Sequence, residues 1–180
     1  MNIIPYHTRY IKQVEAITIA TSSKAAHDPI HRQFTLAMYC DGYLKHGIVY
    51  LLEEKDHIYG YIMCAPDYDS YIHQNIEEQA IIQDLPVHYR TRAKNEWLTY
   101  EKYKEQYPAH LHIDLARQAR GQHLGTQLLK TLIERLRKDQ VKGLMLGVGK
   151  DNQGAIAFYK KNGFSILEET PNSFLMGQKL

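Results

Sequence analysis

The stretch HLHIDLARQARGQHLG at residues 110–125, running on into TQLLKTLIERLRKDQ, constrains this chain more than any other. Its first part alternates Leu111, Ile113 and Leu115 with His112, Asp114 and Ala116, the two-residue period of a strand. Its last part sets Leu124, Leu128, Leu132 and Leu136 at four-residue spacing beside Leu129 and Ile133. That is an apolar helix stripe, and the opposite face carries Lys130, Glu134, Arg137 and Lys138. Between strand and helix lies the small, basic turn Arg120-Gly121-Gln122-His123-Leu124-Gly125. Such a turn leaves the first helical N–H groups pointing outward. Together with the helix dipole they favour an anion, most naturally the phosphate of a bound cofactor.

The 180 residues suffice for one domain, spanning 1–180, and are short for two. No apolar run approaches the roughly 18 residues that cross a bilayer. The opening MNIIPYHTRY has neither a secretion nor a transit pattern, so a cytoplasmic protein without membrane contact is expected. A formal charge of +2 gives no electrostatic support for nucleic-acid binding. Cys40 and Cys64 sit far apart in apolar stretches, and free buried thiols are expected there. The 10 histidines and 14 tyrosines are scattered, with no metal-ligand spacing, so no metal site is expected.

Residues 2–6 read as a first strand, placed at an edge by Pro5. Thr8 could cap a helix over 9–19 that buries Tyr10, Val14 and Ile17. Asp28 and Pro29 make a good helix start, with Ile30, Phe34, Ala37 and Met38 as its apolar face, running to about Leu44. Strands at 49–54 and 58–65 form a hairpin through Lys55-Asp56-His57. Residues 66–108 are polar, Tyr-rich and helical in composition, broken at Leu85-Pro86. Tyr89, Ala93, Trp97, Tyr100 and Tyr107 there predict a helix near 88–105. This insertion reads either as a lid or as an extra helical layer. Beyond the organising unit come a strand at 143–148, a short helix over 155–161 stopped by Asn162-Gly163, and two closing strands at 164–168 and 174–180. If exposed, the last strand could pair with a second copy in a homodimer.

With these elements in place, the chain resembles the GCN5-related N-acetyltransferase (GNAT) family. Two motifs carry the resemblance: the turn Arg120 to Gly125, and the run Asp151-Asn152-Gln153-Gly154-Ala155-Ile156-Ala157-Phe158-Tyr159-Lys160-Lys161-Asn162-Gly163-Phe164. The combination of residues 110–115 with Leu-Gly-Val-Gly at 146–149 is similar to the subgroup related to the acetyltransferase-like domain of O-GlcNAcases. The resemblance implies an α/β GNAT fold, with a mixed sheet of about seven strands splayed between strands 4 and 5 and flanked by helices. Where the family usually has Gly in the turn this chain has His123, which fits only if its Cβ points away from the phosphates.

The resemblance also implies acetyl-CoA as acyl donor and an amine, on a small molecule or a peptide, as acceptor. Arg120, Gly121, Gln122, His123, Leu124, Gly125 and Thr126 would hold the pyrophosphate of coenzyme A. The pantetheine would lie in the splay against Leu115 and Ala116, with Phe158 beside it. A backbone N–H of Leu115 aimed at the thioester carbonyl would stabilise developing charge, worth roughly 2.7–4 kcal/mol of barrier. Asn152 could reach the cofactor or simply cap its helix. Tyr159 is the candidate general acid for the departing thiolate, or else a packing residue beside Phe158. Asp114 or His112, on the strand face opposite Ile113 and Leu115, could take the acceptor's proton. Acceptor selectivity is expected from residues 22–32, from the 66–108 insertion and from 169–173. Two rivals stand beside this reading. Gly147-Val148-Gly149 suggests a dinucleotide site but lacks the acidic residue on a following strand. A non-catalytic acyl-CoA sensor of the same fold is favoured by His123 and opposed by Tyr159 and Asn152.

Overall fold

A computed structural model of the chain describes residues 1–22 and 25–180. Seven strands form one sheet in the order β1-β2-β3-β4-β5-β7-β6. β1 (Asn2–Pro5) is an edge strand, antiparallel to β2 (Ile48–Glu54), and β2 pairs with β3 (His57–Ala65). Their hairpin turns on Lys55 and Asp56, both at positive φ (52° and 61°), the backbone of a primed turn. β3 runs antiparallel to β4 (Ala109–Leu115), which meets β5 (Gly143–Gly149) in the one parallel pairing of the sheet. That pairing covers only Ala109 with Leu144 and His110 with Met145, after which the two strands part. β5 is paired along its other side with β7 (Ser173–Lys179), and β6 (Ser165–Glu169) closes the sheet. The last strand is therefore internal, because β6 folds back outside it, so it offers no free edge for pairing with a second copy.

Helices cover both faces. α7 (Leu124–Lys138) and α8 (Gln153–Lys161) pack one face, where Leu128, Leu129, Leu132 and Leu136 meet Leu52, Ile62, Leu111 and Leu146. α8 ends at Gly163, whose φ of +92° is the left-handed turn that glycine accepts most readily. On the other face lie α1 (Ile11–Thr21), α2 (Pro29–Tyr39) and α3 (Asp41–His46). Three local expectations need correction. Thr8 does not cap α1; it starts a 3-10 turn whose cap is His7, and the ring Nδ1 accepts from Arg9 N–H at 3.1 Å. Ile30, in the first turn of α2, is 45% exposed, while Phe34, Ala37 and Met38 further along the helix are buried. The helix predicted to reach Leu44 breaks at Cys40, and α3 follows from Asp41. Cys40 and Cys64 are buried free thiols, as expected.

The 66–108 insertion is three helices, α4 (Tyr68–Gln74), α5 (Ile76–Gln83) and α6 (Val87–Tyr103). Ile82, Leu85, Tyr89 and Ala93 pack on Phe34 and Met38 of α2, while Tyr100 and Tyr107 pack on Met145 and Leu175 of the sheet. The insertion is thus anchored at both ends by apolar contact. Core burial on the α7 side predicts that Leu132→Ala lowers the unfolding free energy by about 2–5 kcal/mol in a urea titration, since Leu132 is fully buried.

Candidate active site

The parting of β4 and β5 sets the geometry of the site. Ala116 N–H bonds Tyr59 C=O at 2.8 Å, so even-numbered residues of β4 direct their backbone groups to β3. Alternation then turns the N–H groups of Ile113 and Leu115 the other way, into the splay. The side chains alternate as well. Leu111, Ile113 and Leu115 pack toward α7, whereas His112 and Asp114 face the helical layer on the opposite side. The placement of Asp114 and His112 opposite Ile113 and Leu115 is as the sequence indicated.

At the open end of the splay the chain makes the anion turn. Gly121 has φ +78° and open space where a Cβ would stand. His123 takes the left-handed conformation (φ 59°) that a glycine would supply, at a cost on the order of 1 kcal/mol. Its imidazole is exposed and makes no hydrogen bond or ring contact among the described residues. The first helical bond of α7 is Gln127 N–H to His123 C=O at 3.1 Å, which leaves the preceding amides of the turn as free donors. Gly125 is buried, and a Cβ there would come within 3.3 Å of the Leu115 side chain and 3.4 Å of the Phe158 ring, so turn, strand and α8 pack closely around it. Leu124 and Thr126 are half-buried beside it, and Gln122 is exposed, its Nε2 donating to Gln118 C=O at 2.8 Å. Arg120 folds back on the strand, its Nε donating to Leu115 C=O at 3.0 Å. The Leu115 carbonyl is thereby taken, while its N–H stays available.

A cavity of about 890 Å³ opens between the sheet and the helical layer. Asp114, His112, Gly147 and Asn152 line it from the sheet and the start of α8, and Tyr39, Arg92, Glu96 and Tyr100 from α2 and α6. Tyr61 donates to Asp114 Oδ2 at 2.6 Å. Burial pushes the Asp114 carboxyl up to about 6 in spite of that bond, of Thr21 and of the Arg120 charge. His112, edge-on to Tyr39 and Tyr43, is held down to about 4 by burial and is a neutral ring at pH 7. Tyr159 is buried on the α7 side. Burial first, and then the Asp114 charge, raise its phenol far above the usual value, so it stays protonated. Its hydroxyl has no hydrogen-bond partner among the described residues. Asn152 caps α8, its Oδ1 accepting from Ala155 N–H at 3.1 Å; the amide NH₂ remains free at the cavity wall.

Sequence reasoning missed the α6 contribution. Glu96 Oε2 accepts from Tyr39 at 2.9 Å and Oε1 from Tyr100 at 3.4 Å, and burial raises the Glu96 carboxyl. Tyr100 also accepts from Gly147 N–H at 3.0 Å, so an aromatic read as helix packing in fact satisfies the splayed backbone of β5. The signal was present as Arg92, Glu96 and Tyr100 at four-residue spacing on one helix face. Of the expected selectivity segments, α6 and residues 170–173 do line the cavity, as does Ser22; residues 23 and 24 lie outside the described residues.

A sheet with one short parallel pair, a splay beyond it and an anion turn at its mouth defines an acyltransferase of the GNAT type. The sequence model of the acetyltransferase (GNAT) family matches residues 14–164, and the chain belongs to that family. Members of the family use acetyl-CoA as acyl donor. Among solved structures, SsHAT is similar over 99% of this chain and 97% of its own, with a TM-score of 0.80 and 21% identity. The PaiA N-acetyltransferase of Thermoplasma acidophilum, in complex with coenzyme A, matches at a TM-score of 0.65 and 13% identity over 100% of both chains. The ribosomal-protein-alanine N-acetyltransferase of Brucella melitensis matches at 0.61 and 18% over 100% of both. At such identities the likeness is one of fold. Among the described residues no helix is long and apolar enough to cross a membrane, and no group of acidic, His and Cys side chains could hold a metal ion.

The Tyr61 bond lowers the Asp114 pKa, so removing it has a definite sign. Tyr61→Phe is expected to raise the Asp114 pKa by about one unit, read by carboxyl carbon NMR titration.

Proposed function

We propose that the chain transfers an acetyl group from acetyl-CoA to a primary amine by direct attack, with both substrates bound together. The observation that carries this reading is a single strand, β4, that offers unpaired N–H donors of Ile113 and Leu115 to the splay and a carboxylate, Asp114, to the cavity beside it. The thioester supplies an activated acyl group. The free amides of Gln122 to Thr126, at the positive end of α7, suit the diphosphate of coenzyme A. Arg120 and Gly121 shape that turn, and His123 fits it, since the side chain stands out in solvent. The Leu115 N–H is available to charge developing on the acyl oxygen, Ala116 and Phe158 border the same cleft, and the free amide of Asn152 can reach it.

Asp114 and Tyr159 divide the proton work. An amine enters as an ammonium ion and must lose a proton before it attacks, and the Asp114 carboxylate on β4, with a pKa of about 6, can accept it. His112, with its pKa held at about 4, is the weaker base. Tyr159, protonated and with its hydroxyl unbound, donates to the departing thiolate. The free thiols of Cys40 and Cys64 suit a reducing compartment such as the cytoplasm. Within the family, the similarity of residues 110–115 and 146–149 supports a place beside the O-GlcNAcase-related subgroup.

The test joins binding to turnover. Acetyl-CoA should raise the melting temperature, and thiol release should follow on addition of an amine. Stabilisation with no release across a broad amine panel would favour the sensor reading instead. Tyr159→Phe is expected to lower kcat by about 10²-fold or more with acetyl-CoA affinity retained; equal kcat would remove Tyr159 as the acid. Because Asp114 must be ionised, kcat/KM should rise with pH through about 6, and Asp114→Asn should abolish that limb.

A further inference from the structure

We infer that the acceptor is a small diamino monocarboxylic acid, its amino-acid head bound at α6 and its side-chain amine directed to Asp114. This rests on the acetyltransferase reading above and names the substrate of the same cavity. Three charged side chains face that cavity, Arg92, Glu96 and Asp114. None of them has an ion-pair partner among the described residues. Neutral groups hold each one in place. The Arg92 guanidinium lies over the rings of Phe34 and Tyr39, at 5.2 and 5.6 Å from their centroids. Glu96 is gripped by Tyr39 and Tyr100, and Asp114 by Tyr61. Glu96 and Asp114 are partly withdrawn from water with no ion pair within 4 Å, which is costly, whereas Arg92 stands exposed at the cavity rim, close enough for its charge to act on Glu96. Around one cavity they describe their complement, which is one anion and two cations.

The placement orders those three charges. Arg92 and Glu96 are four residues apart on α6, hence side by side on one face of the helix. Adjacent positive and negative groups suit the carboxylate and ammonium of a single amino-acid head, and a guanidinium can take the carboxylate with two parallel bonds. Asp114 lies on a different element, β4, beside the splay. The second amine, at the end of a flexible aliphatic side chain, is then the one presented to the acyl donor. The N–C bond to the acetyl group forms at that amine as the bond from acyl carbon to sulfur breaks. The ammonium first gives one proton to Asp114, which passes it to solvent; the attacking nitrogen then gives its second proton to the same carboxylate, while the thiolate takes a proton from Tyr159 that solvent restores, so one proton is released in all. A cavity of about 890 Å³ admits such a molecule together with the acyl end of the donor.

Thiol release at fixed acetyl-CoA should be compared for ornithine and lysine, for putrescine and cadaverine, which lack the carboxylate, and for 5-aminopentanoate, which lacks the second amine. Ornithine or lysine should exceed both kinds of analogue in kcat/KM by about tenfold or more. Arg92→Gln should erase the preference over the diamines, through KM, and Glu96→Gln the preference over 5-aminopentanoate. Calorimetry on protein saturated with coenzyme A should show ornithine binding weakened about tenfold in Arg92→Gln, whose exposed side chain makes misfolding an inadequate explanation. Diamines that match the diamino acids, or variants that slow every acceptor equally, would overturn the assignment and leave the acetyltransferase reading standing. If no amine releases thiol although acetyl-CoA binds, both fail together.

Discussion

The separation of β4 from β5 is the constraint on which the rest of the structure depends. Two parallel strands held by only Ala109–Leu144 and His110–Met145 leave a wedge of backbone donors and acceptors without sheet partners. In a half-buried cleft such groups are expensive unless something satisfies them. The chain satisfies two of them itself, Gly147 N–H through Tyr100 and Leu115 C=O through Arg120. What it leaves on β4 is a short row of N–H donors, suited to an extended amide-bearing ligand that takes the place of a strand.

The same strand sorts the chemistry by parity. Because side chains alternate, Ile113 and Leu115 serve the α7 core while His112 and Asp114 face the cavity. A one-residue slip of β4 against β3 would bury the carboxylate under α7 and turn the leucines into the cavity. The register with β3, from Gly60 opposite Leu115 to Ala65 opposite His110, is therefore as much a part of the site as Asp114 is. Tyr61, opposite Asp114 in that register, reaches its carboxylate directly.

The helical insertion supplies what the sheet lacks. The splayed strands and the turn before α7 offer one carboxylate and little enclosure. α6 closes the space above them, and it is held there by apolar contact with α2 at one end and with β5 and β7 at the other. Anchored in this way, its polar face of Arg92, Glu96 and Tyr100 becomes the wall of a cavity.

By itself the sequence determined the elements and their order, since the two periods that mark strands and helices are local properties of the chain. The Leu stripe of α7, the cap at Asp28, the turn at Lys55-Asp56 and the stop at Gly163 depend on residues a few positions apart, and all were legible. So were the motifs of the anion turn and of α8 that assign the family. His7 and Thr8 could not be told apart as caps, because each adjacent side chain carries an acceptor within reach of amides two or three residues on. Pro5 marked β1 as one edge, but the other edge was not legible: β6 closing outside β7 is a matter of pairing across the sheet, and the last strand gave no local hint of it. Nor could the chain order reveal that Glu96 and Tyr100 on α6, Tyr39 on α2 and Asp114 on β4 share one cavity. Those meetings follow from how helix faces pack against a twisted sheet, which no spacing within one element encodes.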